Sequence, residues 1–230
     1  MTTLLRGDAK KKRGTILSAA STAVAWRLRQ WLGLYIYGIY TRLLGGPAAR
    51  PADNLDCTFR VFEQGDLEEF LDFAQSDARL DLDETFVRSA FAKGDACAAV
   101  FSDGRLVSYD WMAFTPTHDA RGVHVQFGPR YRYSYKAFTL PDFRGRHATR
   151  AFKPLSDDYC VQRGRDSTIA FIAVDNRSSI RLAVGLGNRR IGLAGYLKLG
   201  PVFIPFRTSG ARAEGFRFFL PDQDSGKGLR

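Results

Sequence analysis

Thr139-Leu140-Pro141-Asp142-Phe143-Arg144-Gly145-Arg146-His147-Ala148-Thr149 is the stretch on which the reading of this 230-residue chain turns. An apolar and aromatic run from Tyr131 to Leu140 leads into Pro-Asp, then into a short basic turn, then into a segment with helical character from Ala148. Strand, basic turn and helix N-terminus together make an anion site. The first turn of a helix carries unpaired N–H groups and the positive end of the dipole, and Arg144 and Arg146 add cationic charge beside it. The ligand this arrangement suits is a phosphate-bearing cofactor.

Outward from that stretch, the pattern gives an ordered series of elements. Thr58–Phe62 reads as a short strand, followed by a turn at Gln64-Gly65-Asp66. The helix Leu67–Gln75 has Leu67, Phe70, Leu71 and Ala74 at helical spacing, with Asp66 as its N-cap. Asp83–Ala92 is a second helix. Cys97–Phe101 and Leu106–Phe114 flank Asp103-Gly104, a hairpin signal. Strands follow over Gly122–Phe127 and Tyr131–Leu140. The next helix covers Ala148–Gln162, where Pro154 requires a kink or a late start. Thr168–Val174 is an almost wholly apolar run, as in a strand buried on both faces. Arg177–Leu186 is a helix stopped by Gly187-Asn188, and Ile191–Leu199 with Val202–Phe206 closes the chain as a hairpin.

This order, with its loop, resembles the GNAT acyltransferases, which transfer an acyl group from acetyl-CoA or another acyl-CoA. The family's phosphate loop reads Gln/Arg-x-x-Gly-x-Gly/Ala after Pro-Glu-Tyr or similar, and Pro141-Asp142-Phe143-Arg144-Gly145-Arg146 is similar to its opening. His147 stands where the first loop glycine is expected, and Thr149 where Gly or Ala is expected. A second match follows the buried strand: Asn176, Ser179, Leu182 and Gly187 fall in register on Asn-x-x-Ser/Ala-x-x-Leu-Tyr-x-Lys-x-Gly-Phe. The resemblance implies an α+β fold with a central mixed, mostly antiparallel sheet and helices on both faces, to which the residue pattern upstream adds an N-terminal helical arm.

The same resemblance implies direct transfer to an amine in a ternary complex. It assigns the cofactor to Thr139, Leu140, Arg144, Gly145, Arg146, His147, Ala148, Thr149, Asn176 and Ser179. A backbone N–H near Thr139 is the expected oxyanion donor. Asp110, His124 and Glu84, in that order, are the candidates for receiving the amine's proton; each also has a plain reading as a solvated strand or helix face. Ala183 occupies the place where the family often has a tyrosine that protonates the leaving thiolate, and Asn188 replaces an aromatic. Either Tyr133, Tyr135 or Tyr159 substitutes, or the thiolate leaves unassisted, which a thiol pKa of about 8.5 tolerates.

Charge is concentrated at one end. Residues 1–50 hold nine Lys and Arg against Asp8, a net +8 of the chain's +10. Residues 1–14 read as a basic disordered N-terminus and 15–46 as an amphipathic helical segment. Gly45–Pro51 is a linker, the folded domain spans 57–206, and 221–230 is a disordered tail. Trp26, Trp31, Tyr35, Tyr37 and Tyr40 suit a headgroup region and the flanking cations suit anionic lipid. Two readings of 15–46 stay open: an interfacial helix that brings residues 10–44 to an anionic membrane surface, or a helix packed on the protein's own body. The uncharged piece Trp31–Tyr40 is ten residues, while a spanning helix takes about 20.

Cys57, Cys97 and Cys160 are sparse and odd in number, which points to a reducing, cytoplasmic setting, with a peripheral membrane location under the interfacial reading. With His118, His124 and His147 scattered, no metal-ligand spacing is apparent. Two alternatives accompany acetyl transfer to an amine of a small or membrane-associated substrate. One is a long-chain acyltransferase using acyl-CoA or acyl carrier protein at the membrane surface. The other is a non-catalytic basic nucleic-acid- or membrane-binding protein. Nucleic acid is not an expected partner, because the basic residues stop near Arg50 and the aromatics beside them cluster on the apolar side.

Overall fold

The computed structural model describes residues 32–45, 57–118, 122–144 and 153–221. An eight-stranded sheet dominates it, in the order β10-β9-β1-β8-β7-β4-β3-β2. Its strands are β1 (Leu34–Leu43), β2 (Thr58–Phe62), β3 (Ala96–Ser102), β4 (Arg105–Ala113), β7 (Tyr131–Thr139), β8 (Ser167–Ala173), β9 (Arg189–Leu199) and β10 (Val202–Arg207). A smaller sheet combines β5 (Thr117–His118), β6 (His124–Gln126) and β11 (Arg217–Phe219). Of the pairings in the large sheet, that of β7 with β8 is parallel and the others are antiparallel. This is the mixed, mostly antiparallel sheet expected.

Helices cover both faces. Trp111 and Met112 are neighbours on β4 and so point to opposite sides. Trp111 meets Phe70 of α1 (Leu67–Gln75) and Phe86 and Phe91 of α2 (Glu84–Ala92), with ring centroids 5.5, 5.2 and 4.9 Å apart. Met112 instead meets Cys160 of α3 (Lys153–Gln162), sulfur to sulfur at 3.6 Å. Two cores result. One gathers α1, α2, the β2-β3-β4 strands and Cys160 of α3 around Trp111, Tyr109 and Met112. The other packs β1, β8, β9 and β10 against the small sheet through Tyr37, Ile39, Tyr133, Tyr196, Phe216 and Phe218.

Local chemistry accounts for most boundaries. Asp83 caps α2, its carboxylate accepting from the Phe86 N–H at 3.1 Å. Asp103 and Gly104 both have positive φ, 51° and 73°, as a two-residue hairpin turn requires. Pro154 is the second residue of α3 (Lys153–Gln162), and residues 148–152 of the expected helix lie outside the described residues.

The N-terminal reading is corrected. Leu34–Leu43, expected as part of a helical segment over 15–46, is a strand in the middle of the sheet. It pairs with β8 from Tyr37↔Ala173 to Leu43↔Ser167, and with β9 from Leu34↔Leu197 to Thr41↔Arg189. The physical reason is composition: Tyr, Ile and Thr supply the branched and aromatic side chains that fit a pleated surface. Tyr37 and Ile39 face the second core on one side while Tyr40 is buried on the other. The folded unit therefore does not begin at Cys57. Nor does it stop at 206, since α5 (Ser209–Ala213) and β11 follow. α4 (Arg177–Gly185) joins β8 to β9. Residues 1–31, 46–56 and 222–230, and with them the basic terminus, most of the linker and most of the tail, lie outside the described residues. No helix among the described residues is long and apolar enough to cross a membrane.

Candidate active site

The site is the wedge where β7 and β8 part. Their parallel pairing covers Tyr131↔Ser167, Arg132↔Thr168 and Tyr133↔Ile169 and then stops, although β7 runs on to Thr139 and β8 to Ala173. Burial falls at the same point on both strands: Tyr131, Arg132 and Tyr133 are buried and the residues after them are not, and likewise after Ile169. Two constraints open the wedge. Opposite β4, Trp111 pairs with Lys136 and Met112 with Ser134, so Tyr135 is an extra residue, a bulge that bends and twists its strand. β8 meanwhile is held along all seven of its residues by β1. One strand bends away while the other is held straight.

Backbone groups line the opening. The Leu140 N–H donates to the Val107 carbonyl at 2.9 Å. In an antiparallel ladder, alternate residues turn their N–H and C=O to opposite sides, so Ala137 and Thr139 turn theirs toward the departed β8. Arg144, after the 3₁₀ turn Pro141–Phe143, donates from Nε to the Thr139 carbonyl at 3.0 Å, and its guanidinium lies 5.6 Å from the Phe138 ring centre. Arg144 is thus at the mouth of the wedge, beside Thr139 and Leu140. Gly145, Arg146, His147, Ala148 and Thr149 lie outside the described residues.

Behind the closed end of the wedge, under α3, is a cluster of charged side chains that the sequence did not single out as a group. Arg132 is fully buried and donates from Nη1 to Asp110 Oδ2 at 2.9 Å. The other Asp110 oxygen accepts from Ser134 Oγ at 2.5 Å. Arg42 of β1 pairs with Asp157 of α3 at 2.8 Å. Lys153 opens α3 against this group. Burial first, then the charge of Arg132, bring its ammonium down to about 7. Asp110, the first choice for the proton acceptor, therefore has both oxygens engaged and only 5% exposure, and its visible role is to neutralise Arg132.

On the opposite face, the Tyr135 hydroxyl donates to the buried Asp95 carboxylate at 2.9 Å, which also pairs with Lys93 Nζ at 3.0 Å. Burial and the Asp95 charge hold the Tyr135 proton well above the ordinary tyrosine range. The Tyr159 hydroxyl donates to Glu63 at 2.5 Å and is likewise pushed up, first by burial and then by that bond. Tyr133 is stacked between Tyr135 and Phe171, centroids 5.7 and 5.8 Å away. Two of the three tyrosines are thus made weaker acids, and the third is placed by ring packing.

The remaining candidates are dispersed. His124 is on β6 of the small sheet, opposite His118 and Phe219. Glu84 is exposed at the start of α2, accepting from Arg88 Nε at 2.7 Å. Asn176 caps α4: its side-chain oxygen accepts from the Ser179 N–H at 3.1 Å and from Ser178 Oγ at 2.9 Å. Asn188 turns both its backbone and its side-chain nitrogen to the Ala183 carbonyl, at 3.0 and 2.9 Å, after Gly187 in the left-handed region at φ 84°. A signal for the missed cluster was present: Arg132, a cation between Tyr131 and Tyr133, is unusual in a strand buried on both faces. Among the described residues, no group of three or more His, Cys, Asp or Glu could hold a metal ion.

No family model matches the chain, and no curated protein resembles it in sequence. Solved structures do resemble it. One is an aminoglycoside acetyltransferase from an uncultured soil metagenomic sample, in complex with sisomicin; it is 7% identical, with a TM-score of 0.43 over 57% of this chain and 87% of that one. An aminoglycoside N-acetyltransferase in complex with CoA is 14% identical, with a TM-score of 0.43 over 57% and 86%. A protein from Novosphingobium aromaticivorans, described as an acetyltransferase of the GNAT family, is 20% identical, with a TM-score of 0.41 over 67% of this chain and 60% of that one.

Proposed function

We propose that this protein transfers an acyl group from a CoA thioester to an amine, with both substrates bound at once. The observation that carries the reading is the wedge: two parallel strands that pair as far as Tyr133 and Ile169 and then separate, so that the β7 backbone from Ser134 to Thr139 runs beside a gap in the sheet. An amide-bearing arm inserted there completes the hydrogen bonding that β8 gives up, in the manner of an added strand. Arg144 at the mouth supplies a cation to the phosphate end.

The chemistry is a direct displacement. The amine nitrogen attacks the thioester carbonyl, the C–N bond forms, the C–S bond breaks, and the electron pair leaves on sulfur as the CoA thiolate. The amine's proton passes to water, because Asp110 is tied to Arg132 and Ser134 while Glu84 and His124 stand on other elements. With Ala183 in place of a tyrosine and the nearby tyrosines made less acidic, the thiolate departs unassisted, which its pKa of about 8.5 permits near neutrality. The family resemblance implies acetyl as the group transferred and a small or membrane-associated amine as the acceptor. Leu34–Leu43 belongs to the sheet, so the segment that would meet an anionic membrane surface is residues 10–31.

Calorimetric titration with CoA and acetyl-CoA, together with thiol release over a panel of amines, tests this. The expected result is micromolar binding, weakened at least tenfold in Arg144→Glu, where a cation beside the phosphates becomes an anion. A folded protein that binds neither CoA nor acetyl-CoA would overturn the reading.

A further inference from the structure

Under the N-terminus of α3, Arg42, Arg132 and Lys153 face Asp110 and Asp157, three cations against two carboxylates. Arg132, with no exposure, uses one nitrogen on Asp110; its Nε and Nη2 have no hydrogen-bond partner among the described residues, and neither has Arg42 Nε. Buried guanidinium groups are ordinarily satisfied on all their nitrogens, and an unpaired buried donor is costly. With Lys153 protonated the cluster has one positive charge in excess, and in either form Arg132 has two unpaired guanidinium nitrogens. Both deficits are met by a single monoanion.

Its place selects which monoanion. Arg132 belongs to the last paired residues of β7, at the closed end of the wedge, and the bulge at Tyr135 is three residues, about 10 Å, further along. An acyl chain that runs from the bulge toward the closed end of the wedge runs toward Arg132. We infer that the acyl group carries its own carboxylate, as in a thioester of a short dicarboxylic acid such as succinate, and that Arg132 and Lys153 bind that carboxylate at the closed end of the wedge. The inference rests on the acyl-CoA reading above and specifies its donor.

The groups facing Lys153 set a pH signature. Arg132 and Arg42 disfavour its proton, Asp110 and Asp157 favour it, and burial leaves it about half protonated near pH 7. A carboxylate beside it favours the charged form, so binding takes up a proton and weakens as pH rises above 7.

The test compares succinyl-CoA, butyryl-CoA and free CoA by calorimetry between pH 6.5 and 9, on wild type and on Lys153→Met, with Arg132→Lys as a second variant. Expected are at least tenfold tighter binding of succinyl-CoA than butyryl-CoA at pH 6.5, a ratio that shrinks toward pH 9, and a ratio within about twofold of one in Lys153→Met. Equal affinities for the two thioesters in wild type, or a ratio that survives Lys153→Met, overturn the inference while leaving the acyl-CoA reading standing. The same pH dependence with free CoA would assign the cluster to the cofactor's phosphates and also overturn it. If none of the three binds, both readings fail together.

Discussion

The two halves of the large sheet are built by different rules. The β2-β3-β4-β7 half is a run of strands in chain order apart from the helices α1 and α2 and the small sheet's β5 and β6, joined by antiparallel pairings, and its core closes around Trp111. The β8-β1-β9-β10 half takes its second strand from far upstream and closes around Tyr37, Ile39 and Tyr196. Three parallel residue pairs join the halves, and the candidate site opens where those pairs end. The difference teaches that β1 serves the site through β8: its residues from Tyr37 to Leu43 pair along the whole of β8, while β7 bends away.

The largest expected effect follows from that. Removing residues 1–45 takes β1 with it, and we expect the remaining chain to show no cooperative thermal transition by circular dichroism. A truncated chain that melts sharply would break the comparison, because the second half would then stand without its inner strand. Single-residue probes sharpen it. Trp111→Ala in the first core and Ile39→Ala in the second each empty a fully buried site, and should cost about 4 and about 3 kcal/mol in chemical denaturation. If the halves unfold as one, both variants shift the same transition. Two separate transitions would show that the three-pair joint uncouples them.

Smaller effects follow. Gly195 of β9 lies so close to the Tyr35 carbonyl of β1 that an added methyl group has no room; Gly195→Ala should destabilise by about 2 kcal/mol, read in the same experiment. Lys153 contributes a pH dependence. Its pKa in the folded protein, about 7, lies below the ordinary 10.5, so the unfolded chain binds the extra proton between those values. Stability should therefore rise with pH from about 7 toward 10, and Lys153→Met should flatten that rise; an unaltered profile would show that Lys153 is not the group responsible. Smallest of all, Glu84→Gln removes one exposed helix ion pair with Arg88, for a change of under about 0.5 kcal/mol.

Legibility in the sequence followed the same division. Thr58–Phe62 and Leu67–Gln75 have the boundaries that alternation and helical spacing gave them, and the Asp103-Gly104 hairpin forms as its turn chemistry requires. These elements pair with near neighbours, so local pattern and tertiary contact agree. β1 was misread because Tyr35, Tyr37 and Tyr40 amid Leu and Ile suit a membrane interface and a strand equally well, and the partners that decide are over a hundred residues away. In the candidate site, the sequence puts Thr139 and Arg144 on one loop, and the structure brings them within hydrogen-bond distance. The Arg132–Asp110–Lys153 cluster was not legible, because a register bulge and a helix N-terminus bring its members together and neither is written in any one segment. Asp110 is a candidate from its strand's place beside the cofactor strand, and the cation that pairs with it, Arg132, stands in the sequence among aromatics.

The distant pairing of β1 also has a temporal side. The Thr41 hydroxyl donates to the Thr168 carbonyl across 127 residues of chain. A ribosome adding about 5–20 residues per second needs roughly 6–25 s to deliver that partner after Thr41 is made. For all of that interval Leu-Tyr-Ile-Tyr-Gly-Ile-Tyr-Thr-Arg-Leu is a nascent strand with both edges open, apolar and with a single charge. The slow and aggregation-exposed step of synthesis should therefore be the wait for β8 and β9, and the yield of folded protein should depend on whatever shelters residues 34–43 until those strands emerge.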